Sequence, residues 1–176
     1  MHASRPSDTE YAPYFSRYID LVAEAEFAAV LAGQPAEYGA LLGGLSQKQA
    51  GFRYAPEKWS IREVLGHVID AERVFGYRAL CIARGETVSL PSFDENAYAA
   101  KAGHDACALL ELLEELGHVR RGHIALFAHL GQSAWERTGT VNQNPISVRG
   151  LAYIMTGHAR HHAKILKERY AAVLGG

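Results

Sequence analysis

The chain has 176 residues, about the length of one domain, and 48% of them are apolar, which is enough to build a core. Charged residues make up 21% and the formal net charge is −1, which argues against a disordered chain and against a nucleic-acid partner. Since no apolar run could span a membrane, no signal core opens the chain, and two cysteines are too few for a disulfide framework, we expect a cytoplasmic protein with no membrane partner.

The first predicted elements are an N-terminal arm and a helix that contains two helix-breaking residues. Residues 1–23 are rich in tyrosine and proline, and we predict an extended N-terminal arm that lies against the rest of the protein. Residues 24–176 are then a single domain. Its first segment, 24–45, has the alanine and leucine content of a helix, but Gly33 and Pro35 interrupt it. Proline removes a helical hydrogen bond, so we expect a kink or a break there.

The next helix has the clearest start signal in the chain. Ser60 and Glu63 have the spacing of a capping box, in which the Ser60 hydroxyl accepts from the Glu63 amide and Glu63 reaches back. Apolar residues recur at helical spacing after it. We predict a helix from this box to about Arg84, with Gly85 ending it.

Two further long helices follow, separated by loops. Residues 85–103 form a polar crossover that is too long for a tight hairpin, so the helices that flank it need not be antiparallel neighbours. We predict a third helix over 105–130, a loop over 131–146 and a last helix over 147–172. Because no segment has useful β-alternation, the predicted fold class is all-α, a four-helix bundle.

The last helix carries the pattern that bears on function. His158 and His162 lie one turn apart on its apolar stripe, so both imidazoles point the same way into the core. Two such rings suit a metal ion, but a third ligand must come from a facing helix. The pair is not a zincin motif, because Ala159 follows His158 where that motif has glutamate.

His67, on the flank of the second long helix, is the natural third ligand. Three neutral nitrogen ligands leave open coordination positions, which is typical of catalytic metal sites. His123 lies on the stripe of the third helix and is either an outer partner, an extra ligand or an ordinary core histidine. Glu72 could orient a ligand or carry a proton, but an ordinary salt bridge is the simpler interpretation.

The chain resembles the DinB-like superfamily. The similarity rests on four segments in order, which are 14–22 (YFSRYIDLV), 58–72 (KWSIREVLGHVIDAE), 92–98 (SFDENAY) and 157–162 (GHARHH). The resemblance implies a bundle of up-down-down-up topology, a metal held by His67, His158 and His162, and a homodimer formed through helix faces. Some members of this family are metal-dependent transferases of bacillithiol, mycothiol or glutathione, and others are hydrolase-like. His123 departs from the family pattern.

These observations favour a metal-dependent enzyme that acts on a small molecule, either transferring a low-molecular-weight thiol or hydrolysing its substrate. The expected cofactor is a divalent metal ion, zinc or nickel first, with manganese and iron as further options. One alternative is a non-catalytic metal-binding dimer in a stress response. Another is a plain helical bundle whose histidines never meet.

Overall fold

The computed structural model describes residues 4–23 and 27–174. Its elements in chain order are α1 (Ser16–Ile19), α2 (Phe27–Leu42), α3 (Gln47–Ala50), α4 (Ile61–Ala83), α5 (Glu95–Ala102), α6 (Leu109–Ala128), α7 (Gln132–Trp135), β1 (Thr138–Val141), β2 (Asn144–Ser147), α8 (Val148–Arg169) and α9 (Ala171–Leu174). The four long helices α2, α4, α6 and α8 form the body of the protein. No helix in the described part of the chain is long and apolar enough to cross a membrane.

Buried hydrogen bonds show that α2 and α8 run in the same direction. The Gln34 amide donates to the Thr156 carbonyl over 2.7 Å, and one turn later the Tyr38 hydroxyl donates to the Ala159 carbonyl over 2.8 Å. Residue numbers therefore rise together along both helices.

The other two long helices, α4 and α6, also run parallel to each other. The Ser60 hydroxyl donates to Asp105 near their starts, and Arg120 donates to Glu72 farther along. In contrast, α4 and α8 are antiparallel, because the end of α8 lies beside the start of α4, where the Tyr170 hydroxyl donates to the carbonyl that precedes Ser60. The order is up-down-down-up, and the predicted four-helix bundle is confirmed.

The capping box at the start of α4 is present as predicted. The Ser60 hydroxyl accepts from the Glu63 amide over 3.1 Å, and the Ser60 amide donates to the Glu63 carboxylate over 2.8 Å. At the other end Arg84 is the C-cap, and Gly85 takes the positive φ of 91° that favours glycine. Local sequence therefore sets both ends of the helix that carries His67.

The predicted interruption of the first long helix is corrected in part. The start of that segment, 24–26, lies outside the described residues, but α2 continues through Gly33 and Pro35 without a break. Proline has no N–H, so it leaves the carbonyl four residues earlier, on Leu31, without its helical partner. The Arg120 guanidinium of α6 donates to that carbonyl over 2.6 Å. A tertiary hydrogen bond thus replaces the missing helical one.

Both predicted loops contain regular structure. The crossover 85–103 includes α5, whose start is capped by the Asp94 carboxylate. The loop 131–146 contains α7 and the greater part of an antiparallel hairpin, β1 and β2, which pairs Val141 with Asn144. The two residues of its turn, Asn142 and Gln143, have positive φ values of 48° and 64°. That tight turn, rather than any long alternating pattern, makes such short strands possible.

The segment that precedes α2 packs on the bundle. The 3-10 turn at Asp8–Glu10 lies at the start of α8, where the Arg149 guanidinium binds the Glu10 carboxylate over 2.5 Å and the Ser4 hydroxyl over 2.6 Å. Helix α1 lies farther along α8, where the Tyr18 backbone approaches Gly157. Tyr11 and Tyr18 of this segment are both buried. The N-terminal arm is therefore packed against α8.

Candidate metal centre

The histidine pair of α8 faces the core. His158 and His162 are 3% and 8% exposed, and the apolar residues of the same stripe, Val148, Leu151, Met155 and Leu166, are buried with them. One helical turn separates the two rings, which places their Nε2 atoms 3.1 Å apart. The predicted direction of both side chains is that seen in the structure.

The third predicted side chain arrives from the antiparallel neighbour. His67 of α4 is 3% exposed, and its Nε2 lies 3.0 Å from Nε2 of His158. One nitrogen from each of His67, His158 and His162 lies within 4.8 Å of the other two. The structure therefore brings the three predicted side chains together, although 91 residues separate His67 from His158.

All three rings are held neutral. Burial, reinforced by the neighbouring His104, lowers the pKa of His67 from 6.5 to about 4. Burial and then the neighbouring rings lower the pKa of His158 and of His162 well below 6.5. Neutral imidazoles have a free lone pair, which is the form that binds metals.

Hydrogen bonding alone does not account for this cluster. A neutral imidazole nitrogen carries either one hydrogen or one lone pair, so Nε2 of His158 cannot bond well to both of its neighbours at once. A shared cation resolves the conflict, because all three lone pairs can point at it. Two nitrogens that each lie about 2.1 Å from one ion are about 3.0–3.4 Å apart, depending on the coordination angle. The observed separations of 3.0 and 3.1 Å fit that range.

Aromatic rings enclose the cluster. Tyr18 and Phe75 present ring edges to His158 at centroid distances of 5.3 and 5.6 Å, and Trp59 lies 4.8 Å from His67. The approach of Tyr18 requires glycine at position 157, because a Cβ there would lie 1.9 Å from the Tyr18 carbonyl oxygen. Burial and the hydroxyl of a neighbouring tyrosine raise the pKa of Tyr18, so its phenol stays protonated.

One side of the cluster opens into a cavity of about 300 Å³. His158 lines it, so the histidine cluster is accessible from this space. The charged residues of the remaining wall are Arg78 and Glu95, and Ser92, Asn142 and Asn144 are its uncharged polar ones. Five aromatic residues make up a large share of the rest, which are Tyr14, Phe15, Tyr18, Phe75 and Phe93. A cavity of this size accommodates a small organic molecule next to the histidines.

Glu72 and His123 belong to a different buried group. Glu72 is 0% exposed and forms a two-pronged ion pair with Arg120, which is 1% exposed. Nδ1 of His123 lies 3.6 Å from the Glu72 carboxylate. Of the functions considered for Glu72, the salt bridge is the one observed. Neither residue is in the three-histidine group found among the described residues.

Two buried residues near the site, His104 and Arg78, were not among those predicted from the sequence. His104 is buried against α4, where a Cβ on Gly66 would lie 2.1 Å from its Nδ1, so it backs the helix turn that carries His67. Arg78 lies three residues after Phe75 and therefore shares its helix face, and it is 6% exposed. The periodicity alone could have indicated that this arginine is directed inward.

An up-down-down-up bundle with three converging neutral histidines beside an open cavity defines a class of candidate metal-binding helical proteins. The chain belongs to the DinB superfamily, whose family model matches residues 31–166. The fold is similar to that of YfiT from Bacillus subtilis, described as a probable metal-dependent hydrolase with an unusual four-helix bundle topology. The TM-score is 0.76 at 17% identity, over 97% of this chain and 93% of that one. A comparison with curated protein sequences gave no significant match.

Proposed function

We propose that the protein is a metal-dependent enzyme that acts on a small molecule, either transferring a low-molecular-weight thiol to an electrophile or hydrolysing its substrate. The observation that carries this proposal is the convergence of three neutral histidine nitrogens on a point beside a cavity of about 300 Å³. The description of YfiT as a probable metal-dependent hydrolase supports the same class of chemistry.

His67, His158 and His162 would hold the metal ion, with zinc or nickel preferred and manganese or iron as further options. A divalent ion bound there would supply Lewis acidity, which stabilises a thiolate or makes a water molecule more acidic. Three protein ligands leave positions for a substrate, in contrast to the four ligands of a closed structural zinc site.

The surrounding residues would bind and orient the substrate. The aromatic side chains of the wall would shield part of a bound substrate from water, which would strengthen electrostatic interactions there. The ring of Tyr18 contacts His158, and its protonated phenol would donate to an oxygen or sulfur of the substrate in place of the neighbouring Tyr14 hydroxyl. Glu72 does not serve as a base in this scheme, because its carboxylate is committed to Arg120.

Metal analysis of tag-free protein tests the proposal. We expect close to one metal ion per chain in the wild type, and none in His158→Ala. His118→Ala is the matched control, because that side chain is exposed on α6, and it should keep its metal. If the wild type is empty and added zinc or nickel does not bind, the proposal is wrong.

A screen of thiols, electrophiles and esters then separates an enzyme from the non-catalytic alternative. Turnover that requires metal and disappears in His158→Ala supports the enzyme. Stoichiometric metal without turnover of any of these substrates favours a metal-binding protein in a stress response.

A further inference from the structure

The cavity contains an arginine that no acidic side chain neutralises. Arg78 is 6% exposed, and among residues 4–23 and 27–174 no carboxylate lies within ion-pair distance of it. Arg120, the other strongly buried arginine, is paired with Glu72. A buried cation without a counter-ion is energetically costly. Arg78, unlike Arg120, therefore favours the binding of an anionic ligand.

The hydrogen bonds of Arg78 leave most of its donors free. Nη2 of Arg78 donates to the Pro91 carbonyl over 2.7 Å, and the guanidinium lies 5.6 Å from the ring centre of Phe93. These contacts orient the group, but an arginine has five N–H donors. The side chain lines the same cavity as His158. Phe75, which shares the helix face of Arg78, has its ring centre 5.6 Å from that of His158.

From this arrangement we infer that Arg78 binds a carboxylate of the substrate, whose reacting group faces the histidine cluster at His158. The inference rests on the proposed function and specifies its substrate class. A guanidinium presents two parallel N–H groups that match a planar carboxylate. Glu95, exposed at the cavity wall, disfavours additional negative charge, so a singly charged acid fits better than a doubly charged phosphate.

A pair of nearly isosteric thiols tests this inference. Titration calorimetry of zinc-loaded protein would compare 3-mercaptopropionate with its uncharged amide, 3-mercaptopropionamide. We expect the wild type to bind the acid at least about tenfold more tightly, because charge-assisted hydrogen bonds are stronger than neutral ones. The ratio of the two dissociation constants removes the contribution of the thiol group itself.

In Arg78→Gln the ratio should fall to within about twofold, because glutamine can still donate to the Pro91 carbonyl but has no charge. Arg78→Lys should retain part of the preference for the acid, since lysine keeps the positive charge but lacks the two parallel N–H donors of the guanidinium. Arg73→Gln is the matched control on the same helix, where Arg73 pairs with Glu115 over 2.6 Å, and its ratio should be unchanged. Glu95→Gln, an exposed substitution that leaves α4 intact, should tighten binding of the acid.

An unchanged ratio in Arg78→Gln would overturn the inference, and so would weaker binding of the acid by Glu95→Gln. Equally tight binding of 2-mercaptoethanesulfonate would show that the site does not select a carboxylate. The zinc content of the same samples separates the two proposals. Protein that lacks stoichiometric zinc contradicts the proposed function, whereas stoichiometric zinc with an unchanged ratio contradicts only the role of Arg78.

Discussion

Replacing Arg120 with methionine removes the cation that joins three of the four long helices. Its guanidinium donates to Glu72 of α4 and, over 2.6 Å each, to the Leu31 carbonyl and the Gln34 side chain of α2. Gln34 in turn donates to the Thr156 carbonyl of α8. These hydrogen bonds therefore connect α2, α4, α6 and α8 in one network.

The expected loss in the free energy of unfolding follows from the burial of the Arg120–Glu72 ion pair. Removal of one partner of a buried ion pair destabilises a protein by about 3–5 kcal/mol, because the other charge stays buried without compensation. Here the Leu31 carbonyl also loses its donor, and Pro35 cannot supply a helical replacement, so a cost near the upper end of that range is expected. The double variant Arg120→Met/Glu72→Met should be more stable than Arg120→Met alone, since it no longer buries a carboxylate.

Equilibrium unfolding in urea at neutral pH, with a chelator present throughout, measures these free energies. Arg121→Met is the matched control, because this neighbouring arginine is exposed, and it should change the free energy of unfolding by less than about 0.5 kcal/mol. A cost below about 1 kcal/mol for Arg120→Met would refute the reasoning. A double variant less stable than Arg120→Met alone would refute it as well.

Three further outcomes are expected. Chelation should lower the melting temperature of metal-loaded protein, since metal at 100 times its dissociation constant adds about 2.7 kcal/mol of stability; an unchanged melting temperature would contradict a bound metal. Gly157→Ala should destabilise the protein by forcing Tyr18 away. In contrast, an added Cβ at Gly33 would meet only a Glu37 carboxylate oxygen at 4.0 Å, so Gly33→Ala should be neutral or stabilising by up to about 1 kcal/mol in the same urea assay. Burial raises the pKa of Glu10, but hydrogen bonds from Arg149 and from neighbouring serines outweigh it and lower the pKa from 4.5 to about 2. The stability that this carboxylate adds is therefore complete above pH 4.5 and is lost as the pH falls towards 2, so melting temperatures should fall over this range less steeply in Glu10→Gln than in the wild type.

The sequence by itself determined the features that depend on neighbours three or four residues apart. The capping box of Ser60 and Glu63 places the start of α4, and helical periodicity places His158 and His162 on one buried face of α8. These patterns are local, because a single helical turn contains all the atoms involved. The all-α class and the long crossover that permits parallel neighbours follow from the same kind of information.

Only the tertiary structure decided which side chains of different helices come into contact. Residue spacing placed His67 only on the flank of its helix, and the antiparallel packing of α4 against α8 brings it to 3.0 Å from His158. The cavity is likewise built from segments distant in sequence, so nothing local showed that Arg78 and His158 share one space. The Leu31 carbonyl is a second example. The loss of its helical hydrogen bond is predictable from Pro35, but the donor that replaces it is Arg120, 89 residues away. Such contacts depend on which faces pack together, and the pattern within a single helix does not contain that information.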